Sequence, residues 1–223
     1  MRGPLKNFVE RTTPLGMFLR LKREKRARKK FLEWKSKGSN LPVPHYGKQK
    51  VLLEYIERFA PKVFVETGTY TGHMVYAMLN KFEKIFSIEL DRNLFEKAKR
   101  RFKGYDHVHI IYGQSGEILP EILKHTTQPC LFWLDAHWSG DSTAKGEVET
   151  PIMLELQCIL NHKEAETHVV LIDDARLFTG LNDYPTLKTL EYFILNIHPG
   201  WVFEIGDDII RLHSNSLQKS DII

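Results

Sequence analysis

The sequence predicts an α/β fold: a doubly wound, mostly parallel sheet with a basic helical extension at its N-terminus. Three observations lead to it. Short apolar, β-favouring runs recur along the chain, and they end in acids or small polar residues. Helix-patterned segments separate these runs, an alternation that builds a parallel sheet covered on both faces. Two final strand candidates stand close together and read as a hairpin.

The densest signal is Val63-Phe-Val-Glu66-Thr-Gly68-Thr-Tyr-Thr-Gly72. An apolar run enters an acid, then two glycines spaced Gly-x-x-x-Gly, then a helical pattern from His73 to Leu79. A strand, a tight turn and a helix N-terminus let backbone N–H groups approach a ligand closely. The spacing differs from the Gly-x-Gly-x-x-Gly of dinucleotide sites, where a pyrophosphate rests on the helix. Glu66 instead suits a ligand with a positively charged amino group. The pattern resembles motif I of the class I S-adenosylmethionine (SAM) methyltransferases. That resemblance implies a SAM site including Glu66, Gly68, Thr69, Tyr70 and Gly72.

Lys84 to Asp91 reads as a second strand ending in acids, with Glu89 lying 21 residues beyond Gly68. An acid at this distance stands at the next strand tip, where it can accept ribose hydroxyls. Glu89 suits that role better than Asp91, which is placed to cap a helix beginning near Asn93. The third strand, Val108 to Tyr112, leads through Gly113-Gln114-Ser115-Gly116 into a helix expected over Glu117 to Leu123, with Pro120 in its first turn. By resemblance to metal-dependent O-methyltransferases, Gln114 and Ser115 would hold the adenine edge. Capping the helix is their alternative role.

The fourth strand runs from Pro129 to Asp135 and the fifth from His168 to Asp173-Asp174. Ligands of doubly wound sheets bind outside the carboxyl ends of the strands. Five strands in succession bring Glu66, Glu89, Ser115, Asp135 and Asp173 to that edge. Asp135, Asp173 and Asp174 come from neighbouring tips, and massed carboxylates call for a cation or a proton. Oxygen ligands of this kind suit Mg²⁺. The layout is similar to catechol O-methyltransferase and to macrolide-sugar O-methyltransferases. That similarity implies Mg²⁺ on these three residues, with Asp135 also near the cofactor. Capping a turn and meeting a backbone amide are the plainer roles of Asp174 and Asp135. The candidate bases are His137 and Lys145, since the lysine that catechol-type enzymes carry near His137 is not matched here, and metal activation without a base is the alternative. Ser139 to Glu149, ahead of a helix from Pro151 to Leu160, resembles a substrate lid, and Ala175 to Tyr184 would form the facing wall.

A helix from Pro185 to Ile197 and a hairpin pairing 201–205 with 209–213 through a glycine-containing turn end the domain. By resemblance these complete a seven-stranded sheet whose last strand is antiparallel. The chain divides into an extension with a linker, 1–44, and a methyltransferase domain, 45–223, whose first helix spans Tyr46 to Phe59. There is no internal repeat. Cys130 and Cys158 show neither metal spacing nor a disulfide framework. No apolar run is long enough to span a membrane and no signal-peptide core is visible, so the expected location is cytoplasmic or peripheral at a membrane.

Charge divides unevenly. Residues 1–50 hold 15 Lys or Arg against 3 acids, while the whole chain carries only +4. The expected partners are a small-molecule acceptor, a nucleic acid or anionic membrane surface met through residues 18–37, and a second copy of the chain. The leading functional expectation is Mg²⁺-assisted O-methylation of a small hydroxylated acceptor, a sugar or natural product. A nucleic-acid methyltransferase using the basic arm and a non-catalytic binding module at a membrane surface are the alternatives. Asp135-Ala-His-Trp stands where amino-methylating enzymes carry an Asp/Asn-Pro-Pro-Tyr/Phe signature, which disfavours base N-methylation.

Overall fold

The computed structural model describes residues 14–38, 42–135 and 150–217. His137, Lys145 and the expected lid lie outside them. The sequence-patterned runs become seven strands in one sheet. They are β1 (Val63–Thr67), β2 (Lys84–Glu89), β3 (Val108–Tyr112), β4 (Cys130–Leu134), β5 (Val169–Ile172), β6 (Trp201–Gly206) and β7 (Ile209–Ser214). The spatial order is β3-β2-β1-β4-β5-β7-β6. β1 to β5 pair in parallel, whereas β7 runs antiparallel to both β5 and β6. The order reverses between β1 and β4, the switch point at which such sheets open a crevice.

Both faces of the central strands are buried, so alternate side chains feed two cores. Val63, Val65, Phe132, Leu134, Val170 and Ile172 face α5 (Ser115–Lys124), α6 (Ile152–Leu160) and α7 (Leu187–Ile197). Phe64, Leu131, Trp133, Val169 and Leu171 face α2 (His45–Phe59), α3 (His73–Met78) and α4 (Arg92–Phe102). A run such as Cys130-Leu-Phe-Trp-Leu134 is apolar throughout because neither of its faces meets water.

The helix ends follow local chemistry. Asp91 caps α4 by accepting from the Leu94 N–H at 2.8 Å, as its position predicts. Thr186 caps α7 through the Thr189 N–H at 3.1 Å, so this helix begins two residues later than expected. α5 begins two residues early, at Ser115, so Pro120 lies past the first turn and denies the helix one backbone bond. Gln114 holds the cap position without a side-chain bond. The β6–β7 hairpin turns on Asp207 and Asp208, with φ of 52° and 58°, and Gly206 closes the strand instead. Two left-handed residues make the turn that matches the twist of a hairpin. Helix α1 (Pro14–Ser36) carries the basic run ahead of the sheet.

Gly72 is fixed twice over. It holds φ +69° at the start of α3, and a Cβ there would stand 2.6 Å from Cε2 of Phe102. Gly72→Ala should lower stability by about 2 kcal/mol or more. Urea denaturation of the purified protein measures this, and an unchanged midpoint would contradict the constraint.

Candidate functional site

The parallel strands end flush. Thr67 of β1 pairs with Ile88 of β2 and Leu134 of β4, and Leu134 pairs with Ile172 of β5. The backbone bonds continue one step further: Gly68 N donates to Ile88 O, Asp135 N to Thr67 O and Asp173 N to Leu134 O, each at 3.0–3.1 Å. Glu89, Asp135 and Asp173 therefore stand at one level along the sheet edge.

The glycine turn is held from below by side chains. The Ser87 hydroxyl donates to Glu66 Oε2 at 2.5 Å and lies 2.6 Å from Thr69 Oγ1. Glu66 is 2% exposed, and burial holds its carboxyl well above the usual carboxylate range, only partly offset by Ser87. The geometry thus gives Glu66 a bracing role under the turn. Glu89 braces it from the side: Oε2 accepts the Tyr70 N–H at 2.7 Å and Oε1 the Asp91 N–H at 2.9 Å. Burial raises the Glu89 pKa, while these two backbone donors oppose the rise. The Leu90 N–H opposes the rise as well, and the acceptor capacity the carboxylate retains is open to a ligand. Gly68 and Tyr70 take φ of 87° and 47°, so a tyrosine occupies a left-handed position and stands half-exposed over the turn. Ser115, the first residue of α5, is buried.

The three aspartates do meet. Carboxylate oxygens of Asp135, Asp173 and Asp174 lie within 4.8 Å of one another. Asp174 takes the left-handed conformation, φ 57°, and its N–H donates to Asp173 Oδ1 at 2.9 Å. Two cations reach the pair. Lys48 of α2 donates to Asp173 and lies 3.4 Å from Asp174 Oδ1. Arg176 donates to Asp174 Oδ1 at 2.7 Å and also to Asp208. Burial, then the nearby Asp135 charge, push the Asp173 pKa up against the pull of Lys48. Burial works against the Lys48 charge, but Asp173 and Asp135 outweigh it and hold the ammonium above its usual pKa. His45, at the start of α2, meets His73 in a tilted ring contact with centroids 5.9 Å apart. Burial depresses both imidazoles, and for His45 the Asp135 charge partly opposes this.

A small pocket beside the trio is lined by Asp135, Thr150, Glu155, Asp173, Phe178 and Tyr184. The segment expected as a facing wall thus contributes Phe178 and Tyr184. Glu155 is 1% exposed, and burial pushes its pKa up to about 7. The Ser115 and Thr67 hydroxyls soften that shift, yet Glu155 Oε1 and Thr67 Oγ1 have no hydrogen-bond partner of normal geometry.

Lys48 and Glu155 escape a reading confined to strand ends, although a signal was present. Lys48 precedes Val51, Leu52 and Tyr55 by three, four and seven residues, so it lies on the buried face of α2. Glu155 shares a face with Ile152, Leu156 and Ile159. A charge at an apolar-face position marks a buried polar site. Arg176 and Asp208 join only through the tertiary fold and carry no comparable signal.

No protein-family model matches the sequence, and neither does any curated protein. Solved structures do. The SAH-bound methyltransferase PaMTH1 of Podospora anserina is 15% identical over 87% of both chains, with a TM-score of 0.54. The O-methyltransferase TomG of Streptomyces achromogenes, involved in tomaymycin synthesis and solved in complex with SAM, is 18% identical. The match spans 78% of this chain and 80% of TomG, with a TM-score of 0.52. The chain has the class I methyltransferase fold. No helix among its described residues is long and apolar enough to cross a membrane.

Two outcomes follow from the buried charges. Because the Glu155 pKa rises on folding, its contribution is full below about pH 4.5 and is lost as pH rises through about 7. Glu155→Gln should flatten that fall, worth roughly 2–3 kcal/mol, in denaturation curves taken from pH 4.5 to 8. Lys48→Met should destabilise the wild type more than the Asp173→Asn protein, with a coupling of about 1 kcal/mol or more in a double-mutant cycle. Additive losses would show that the two charges act independently.

Proposed function

We propose that the protein is a SAM-dependent methyltransferase that transfers the methyl group to a hydroxyl oxygen of a small acceptor, a sugar or natural product, with Mg²⁺ assistance. The observation that carries this reading is the shared edge. The glycine turn braced by Glu89 and the three clustered aspartates stand one crevice apart, on the fold that methyltransferases use. Glu89 would accept the ribose hydroxyls through its free lone pairs. The turn residues Thr69 and Tyr70 would lie along the amino-acid end of the cofactor, with Glu66, Gly68 and Gly72 holding the turn in shape. Gln114 and Ser115, at the tip of β3, would face the adenine.

The donor set fits a hard cation: carboxylate oxygens of Asp135, Asp173 and Asp174 lie within 4.8 Å of one another, and oxygen donors of this kind suit such an ion. Asp135, Asp173 and Asp174 would hold Mg²⁺, which would supply Lewis-acid activation of an acceptor hydroxyl. The chain itself supplies placement and a proton taker. Phe178 and Tyr184 form an apolar wall that excludes water from the acceptor side. The proton would go to His137 or Lys145, as the sequence predicts, or to His45, whose imidazole burial holds below its usual pKa. Transfer is an in-line displacement, in which the gain comes mainly from holding sulfonium carbon and oxygen at attack distance.

Calorimetric titration with S-adenosylhomocysteine, with and without Mg²⁺, tests the cofactor site. Micromolar binding is expected, and it should vanish in Glu89→Ala while the thermal transition stays cooperative. Absence of binding by the folded wild type would overturn the proposal.

A further inference from the structure

Helix α1 has two unlike faces. Ala27, Phe31 and Trp34, spaced i, i+4 and i+7, turn towards the domain. Phe31 is 8% exposed, stacks on Trp34 at 5.5 Å and meets Tyr46 at 5.7 Å. Gly47 makes room for it, since a Cβ there would stand 2.6 Å from the Phe31 ring. A second stripe, about a third of the way round the helix, runs Phe18, Leu21, Lys25, Arg28 and Leu32, at i, i+3, i+7, i+10 and i+14. Its three apolar members are 59%, 47% and 55% exposed. Residues 18–37 carry ten Lys or Arg against two Glu, whereas the rest of the chain is net acidic.

We propose that this outward stripe docks the protein on an anionic lipid bilayer. Charge alone would serve a nucleic acid equally well, because phosphates need only cations. The apolar residues decide between them. Phe and Leu side chains left in water on the same stripe as lysines gain free energy by entering the headgroup–acyl boundary. The lysines meanwhile extend along that boundary to lipid phosphates. The helix meets the domain through Phe31 on Gly47. The surface is independent of methyl transfer, and failure of either reading leaves the other standing.

Sedimentation of the full chain with vesicles tests the proposal, comparing phosphatidylcholine alone with phosphatidylcholine plus phosphatidylserine. Binding is expected only with the anionic lipid. Lys25→Gln/Lys29→Gln should weaken it roughly tenfold or more. Leu21→Ser/Leu32→Ser should weaken it as well, while leaving the affinity for an RNA oligonucleotide unchanged. All four side chains are exposed, so these variants keep the fold. Equal sedimentation with both vesicle types, no effect of the serine pair, or RNA binding without vesicle binding would each overturn it.

Discussion

The structure depends on how it pays for negative charge gathered at one sheet edge. Glu66, Glu89, Glu155, Asp173 and Asp174 are all buried there, with Asp135 among them. Carboxylates taken out of water must be protonated, hydrogen-bonded or paired. Each device appears. Glu89 is satisfied by two backbone donors, Glu66 by Ser87, and Asp173 and Asp174 by Lys48 and Arg176. Glu155 has the weakest compensation, and its raised pKa follows from that.

Such a concentration of acids costs solvation free energy. Parallel strands explain how it becomes tolerable. Their tips are flush, and one step beyond the ladder the Tyr70, Asp91 and Asp174 N–H groups turn to the acids. The helices on each side contribute the counter-charges: Lys48 comes from α2, whereas Arg176 comes from the turn after β5. Residual negative charge beside an apolar wall is an environment suited to a cationic sulfonium or a divalent ion, because low dielectric strengthens both attractions.

The N-terminal helix answers a different constraint. Its basic residues repel one another and bury almost nothing, so only Phe31 and its aromatic neighbours fasten it. Anchored on one face and charged on the other, it presents a surface that the acidic domain behind it cannot neutralise.

By itself the sequence determined the sheet, its order of elements and the strand-tip acids. Period-two and period-3.6 patterns are local, and Gly72, Asp91 and Glu89 act through neighbours in sequence or one βαβ unit away. The tertiary structure alone decided who meets those acids. Arg176 pairs with Asp208 across 32 residues and Lys48 with Asp173 across 125. Such pairs follow from the crossover geometry and not from any spacing. Even the buried-face positions of Lys48 and Glu155 could flag polar burial without naming a partner. Exact helix starts also escaped the pattern, as at Ser115 and Leu187, because a cap is settled by which side chain wins the free N–H groups once the chain is packed.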